Sequence, residues 1–212
     1  MVNILGITRA ELSLWKSPSF IIDVIFSLCI FNFALLINYY AVRIATDNAS
    51  SAINDIILKL VTKQDTSFIH GELSQWLKWM AFSIMILRPK FLNFALKALA
   101  LTIITRAIFV NLTNLGIPPE SVPIHSFYTY GGDLFFSGHV ALPFMLALVF
   151  WEVPFIRWLF IIKSILLGSE ALIGHYHYSI DVFAAPFIVY GLYTIAKKLF
   201  KEDFEMMSKN VG

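Results

Sequence analysis

Long apolar runs restrict what this chain can become more than any other feature of it. Phe20–Ala41 gives about 22 residues of nearly unbroken apolar character, enough for one helical crossing of a bilayer. Further runs follow at 68–87, 91–115, 135–153, 155–173 and 180–200. The second is crowded in its first half by His70, Glu72, Gln75 and Lys78, but Leu77–Leu87 is firmly apolar and Arg88-Pro89-Lys90 ends it. Pro154 separates the fourth run from the fifth, and Lys197, Lys198 and Lys201 end the sixth. The expected architecture is all-α: one transmembrane domain over residues 1–212, polytopic, with six crossings. The charged share of 14% agrees, since a soluble domain of this size carries about 25%.

The connecting stretches are read in the same terms. Met1–Ser19 is an interfacial leader with Arg9, Trp15 and Lys16 at a headgroup boundary, and no cleavable signal peptide is expected in it. Asn32 and Asn38 interrupt the first run, a usual place for interhelical hydrogen bonds. Arg43–Ser67 is polar, and the spacing of Ile53, Ile56, Ile57, Leu60 and Val61 predicts a short amphipathic helix at the surface. Gly116–Tyr130 is a loop punctuated by Pro118, Pro119 and Pro123. A net charge of +2, with dispersed basic residues, gives no footprint for nucleic acid. Cys29 stands alone, so an intrachain disulfide and a cysteine metal site are both excluded.

Six crossings put both termini on one side. Arg9, Lys16, Arg88, Lys90, Lys97, Arg157, Lys163, Lys197, Lys198, Lys201 and Lys209 then fall on that side. Only Arg43, Lys59, Lys63, Lys78 and Arg106 fall towards the other. The positive-inside bias makes the terminal side cytoplasmic. Two polar clusters, Gly131-Gly132-Asp133-Leu134-Phe135-Phe136-Ser137-Gly138-His139 and Gly174-His175-Tyr176-His177-Tyr178-Ser179-Ile180-Asp181, then land together on the exoplasmic face.

Ionisable groups beside hydrocarbon are costly, and their presence asks for a function. His177 and Asp181 are four apart at a helix start, so they can share a face. The aspartate either fixes the imidazole tautomer and stabilises its charged form or caps the helix. Ser137 and Gly138 open the fourth span, where backbone N–H groups bind anions and glycine admits a close approach; Ser137 can equally be an N-cap. His139 is a second reactive imidazole or a core histidine. Arg106, within or at the outer end of the third span, offers a guanidinium fork to a phosphate or snorkels to the interface. Asp133 orients a histidine or caps the fourth helix. His175 supports the site from outside it, ligates a metal or fills the interface, and Tyr178 is a further neighbour of the reacting groups. The His-x-His spacing is not a metal motif, so no metal or other cofactor is assigned. Glu152 and Glu170 read as interface residues without a role.

With these residues in place, the sequence resembles the sphingomyelin synthase family, a branch of the PAP2 lipid phosphatase and phosphotransferase superfamily. One signature of that family, Gly-Asp, three residues, then Ser-Gly-His, stands here as Gly132-Asp133-Leu134-Phe135-Phe136-Ser137-Gly138-His139. Another stands as His177-Tyr178-Ser179-Ile180-Asp181-Val182, and the family arginine with its following turn is matched by Arg106 and Leu115-Gly116-Ile117-Pro118. Departures are Gly131 for the usual cysteine, Val140 for threonine, Pro186 for an aromatic, and an early Pro-Leu-Pro-Asp motif reduced to Asn54-Asp55. The basic first motif of the lipid phosphate phosphatases is missing, because Arg88-Pro89 has no lysine at the required distance.

The resemblance implies a PAP2-like six-helix bundle that moves a phosphocholine or phosphoethanolamine head group from a glycerophospholipid to a ceramide- or diacylglycerol-like acceptor. His177, activated by Asp181, would form a phosphohistidine, His139 would serve as acid and then base, and Arg106, Ser137 and Gly138 would hold the phosphoryl group. A lipid phosphatase or phospholipase C-like hydrolase using the same groups is the alternative, and a non-enzymatic transporter is a third reading. The partners implied are a phospholipid donor, a lipid acceptor and the bilayer.

Overall fold

The computed structural model describes residues 7–118, 121 and 133–208. Among them every regular element is helical. Helix α1 (Arg9–Ser13) leads through a 3₁₀ turn into the long α2 (Pro18–Asp47), and α3 (Ile56–Leu60) is a single short piece. A π-helical turn, Ile69–Leu73, runs into α4 (Ser74–Leu87). Then come α5 (Pro89–Thr113), α6 (Gly138–Val149), α7 (Pro154–Ile173), α8 (Ser179–Leu199) and α9 (Lys201–Ser208). Proline opens α2, α5 and α7, where its fixed φ suits the first turn and its missing N–H costs nothing.

Three helices, α2, α5 and α8, are long and apolar enough to cross a membrane. Helix α6 is apolar but shorter, α4 has only 14 residues, and α7 carries Arg157, Lys163 and Glu170. Helix α2 exposes Ile22, Phe26, Phe33 and Leu36, and α8 exposes Phe183, Phe187 and Tyr190. Apolar faces this long need lipid to cover them, as in a membrane protein.

Two expected boundaries move. The first helix continues past Ala41 to Asp47, because no glycine or proline interrupts Arg43–Asp47 and the chain turns only at Asn48. The surface helix expected within 43–67 shrinks to Ile56–Leu60, capped by the Asp55 carboxylate, which accepts from the N–H groups of Ile57 and Leu58. Most of the 116–130 loop, and Gly131 and Gly132 of the first signature, lie outside the described residues.

Helix α5 forms the centre, with Phe94, Ala95 and Ala98 fully buried and α2 lying along it. The feature that positions the site is Gly168 on α7. A Cβ there would come within 2.9 Å of Val140 Cγ2 on α6 and 3.3 Å of Val182 Cγ1 on α8, so the missing side chain lets three helices converge. The Ser164 hydroxyl donates to the Val140 carbonyl at 3.0 Å, in the same crossing. The convergence brings the starts of α6 and α8 together, and the Ser137 N–H donates to the Asp181 carbonyl at 3.0 Å. Ion pairs elsewhere brace the bundle: buried Glu11 with Arg88 at 2.9 Å, and Lys97 with Asp203 at 2.6 Å.

Candidate active site

The two histidine clusters meet. His139, in the first turn of α6, and His177, just before α8, have ring centroids 6.0 Å apart. Asp181, fully buried in the first turn of α8, sets its Oδ2 3.4 Å from His177 Nδ1. The same oxygen accepts the Tyr178 N–H at 3.0 Å. The two readings of this aspartate therefore coexist: one carboxylate oxygen both caps the helix and faces the imidazole. A carboxylate beside Nδ1 favours the hydrogen on that nitrogen and leaves Nε2 with a free lone pair. Oδ1 of Asp181 is buried and has no hydrogen-bond partner among the described residues.

Ser137 occupies the N-cap position of α6 without doing a cap's work. Among the described residues its hydroxyl makes no cap hydrogen bond and, though buried, has no partner, while its amide is spent on Asp181. The anion-binding role expected near Ser137 therefore cannot use that amide. The next N–H groups of the helix start remain suited to it.

Arg106 lies against Gly138, whose missing Cβ would stand 3.4 Å from the guanidinium Nε. Its Nε donates to the Phe136 carbonyl at 2.6 Å, and its terminal nitrogens donate to the carboxylate and the carbonyl of Asp133. Among the described residues Asp133 contacts no histidine and makes no cap bond to α6, the two roles read from the sequence; it pairs with Arg106, and together they fix the segment entering Ser137. Those three bonds leave, among the described residues, two of the five guanidinium N–H groups for another acceptor.

His175 has a left-handed backbone (φ 58°), and its Nε2 lies 3.0 Å from the Val61 carbonyl, so it anchors the 61–66 segment. Tyr178, fully buried, ties three strands of chain together. Its hydroxyl donates to the Gly116 carbonyl at 2.9 Å and accepts from the Ile53 N–H at 3.1 Å. Asp55 reaches the site edge as well, accepting from the Ser179 N–H at 2.7 Å. Burial works against its charge, but the amides of Ser179, Leu58 and Ile57 outweigh that and hold its carboxyl below the usual range.

Sequence reasoning missed two residues. His70, on the π-helical turn, stacks against His139 with centroids 4.7 Å apart and against Tyr176 at 4.3 Å. Glu170, read as an interface residue, is instead buried behind it: Oε1 lies 3.3 Å from His70 Nδ1 and accepts from the Thr66 hydroxyl at 3.0 Å. The signal available was the crowding of polar residues in the second apolar run. Beside His70 and Tyr176 opens a cleft of about 560 Å³, also lined by Lys63, Gln64, Asp65, Ser67 and Gly71.

Fold and site together define a helical membrane protein with a close histidine pair, its buried member His177 backed by a carboxylate, where two helices start side by side. Residues 131–198 match the family described as PAP2 superfamily C-terminal, and this stretch contains both histidine clusters. The match supports the PAP2 superfamily and, with it, a lipid phosphatase or phosphotransferase type of function. No curated protein and no solved structure matches the chain.

Proposed function

We propose that this protein is a lipid phosphotransferase of the sphingomyelin synthase type, passing a phosphocholine or phosphoethanolamine head group between lipids through a phosphohistidine. The observation that carries the reading is the 6.0 Å approach of His139 to His177, with Asp181 buried against the latter. One imidazole can then attack a phosphorus atom while the other reaches the leaving oxygen. The Nε2 lone pair of His177 forms the N–P bond, the P–O bond to diacylglycerol breaks, and its electron pair leaves on oxygen, which takes a proton from His139. In the second half the acceptor hydroxyl oxygen attacks phosphorus, the N–P pair returns to His177, and His139 takes the hydroxyl proton. Arg106 and the first amides of α6 stabilise the phosphoryl oxygens, where fixed donors count most. In this reading all six apolar runs cross the bilayer, the termini are cytoplasmic, and the site opens on the exoplasmic face.

A second reading, hydrolysis, draws support from the open cleft lined in part by His70, whose ring touches that of His139 and so brings solvent close to the site. Purified protein incubated with head-group-labelled phosphatidylcholine, with and without ceramide, separates the two. Transfer moves the label to ceramide only when ceramide is present. Release of soluble phosphocholine without an acceptor favours hydrolysis. Label that stays on the donor in both arms, and with phosphatidylethanolamine as well, defeats both.

A further inference from the structure

The reaction centre has a third histidine. We propose that His70, held by Glu170, is a positioning residue that acts through His139, keeping its ring oriented for proton transfer to the departing alkoxide; this rests on the phosphohistidine reading above. The ring of His70 contacts those of His139 and Tyr176, with centroids at 4.7 and 4.3 Å and both interplanar angles 43°. Glu170 is 3% exposed, is fixed by the Thr66 hydroxyl, and lies 3.3 Å from His70 Nδ1, near enough to pair though not in line for a hydrogen bond. A carboxylate at that distance favours the hydrogen on Nδ1, and the ring it holds lies against that of His139. This repeats for His139 what Asp181 does for His177: each reacting imidazole has a carboxylate behind it, directly in one case and through a second imidazole in the other. The backbone at His70 is a π-helical turn, a rare geometry that clusters at functional sites. Such a turn re-aims a side chain that a regular α4 would place elsewhere.

The chemistry gives a test that separates positioning from structural support. Proton donation matters when the leaving group is a lipid alkoxide and not when it is nitrophenolate, which departs without a proton. His70→Phe keeps an aromatic ring in the stack, and Glu170→Gln keeps the acceptor for Thr66. In pre-steady-state assays each variant is given phosphatidylcholine and, separately, p-nitrophenyl phosphocholine. The expected result is loss of diacylglycerol release on the order of tenfold or more, part of the ~10²–10⁴ that acid–base catalysis supplies, with the nitrophenolate burst kept within about twofold. Equal losses on both donors, no loss on either, or loss confined to the burst overturns the inference. Should His70→Phe fail to fold, the same pair of rates in Glu170→Gln decides it. Wild-type protein without a burst, or His177→Ala with one, instead sinks the phosphohistidine reading, so the two failures are distinguishable.

Discussion

Replacing Asp181 with asparagine separates the two duties of one carboxylate. The amide oxygen can still accept the Tyr178 N–H, now made at 3.0 Å, so the N3 half of the capping box and the helix start survive. The amide NH₂ must then occupy the place of Oδ1, which is buried without a hydrogen-bond partner, at a cost of ~1–2 kcal/mol. The electrostatic loss is larger. A unit charge 3.4 Å from a charged imidazole is worth about 5 kcal/mol at an effective dielectric of about 20. With part of that recovered by the amide dipole, the rate should fall roughly 10²–10³-fold. Turnover of a fluorescent lipid donor in mixed micelles, read beside thermal unfolding in the same detergent, measures both. A rate within tenfold of wild type refutes the role given to the carboxylate. A collapse in stability that tracks the loss of rate refutes the separation of duties.

Tyr178→Phe should destabilise the protein by ~2 kcal/mol, because it strands the Gly116 carbonyl and the Ile53 N–H, and denaturant titration in micelles would show it. Gly168→Leu forces α6, α7 and α8 apart where a bare Cβ already stands 2.9 Å from Val140; about 1–3 kcal/mol of stability and most of the turnover should go, with Gly168→Ala far milder. Asp55 has a depressed carboxyl pKa, so its contribution is fully present above the unfolded value near ~3.9 and fades as pH falls through the lower folded value. Asp55→Asn should therefore be less stable than wild type at neutral pH, with the gap closing below about pH 4 in acid-unfolding curves.

How much of this was legible beforehand follows from which interactions are local. His177 and Asp181 are four residues apart, which was enough to pair them from the sequence, although His177 precedes α8 instead of sharing a helix face, and the fully buried Asp181 bears both of the roles open to it. The helical class was equally legible, since runs such as Phe20–Ala41 have no soluble use. Arg106 with Asp133 was not, because 27 residues separate them and nothing in either neighbourhood names the other. His70 and Glu170 are still more distant, and although His70 stands in a run crowded with polar residues, nothing near either one names the other. The shrunken surface helix has a plain cause: the Ile53 N–H, the Asp55 and Thr66 side chains and the Val61 carbonyl are used to tie down Tyr178, Ser179, Glu170 and His175, leaving little of that segment free to coil.

The central claim is a phosphorylated imidazole, and trapping it is the direct measurement. Protein quenched within milliseconds of mixing with donor lipid, kept at alkaline pH and digested, should yield a peptide spanning His177 heavier by one head-group phosphoryl unit. The adduct should be lost on acid treatment, absent from His177→Ala and longer-lived in His139→Ala, which lacks the base for the second step. An adduct on a different residue, or full turnover by His177→Ala, would contradict the account.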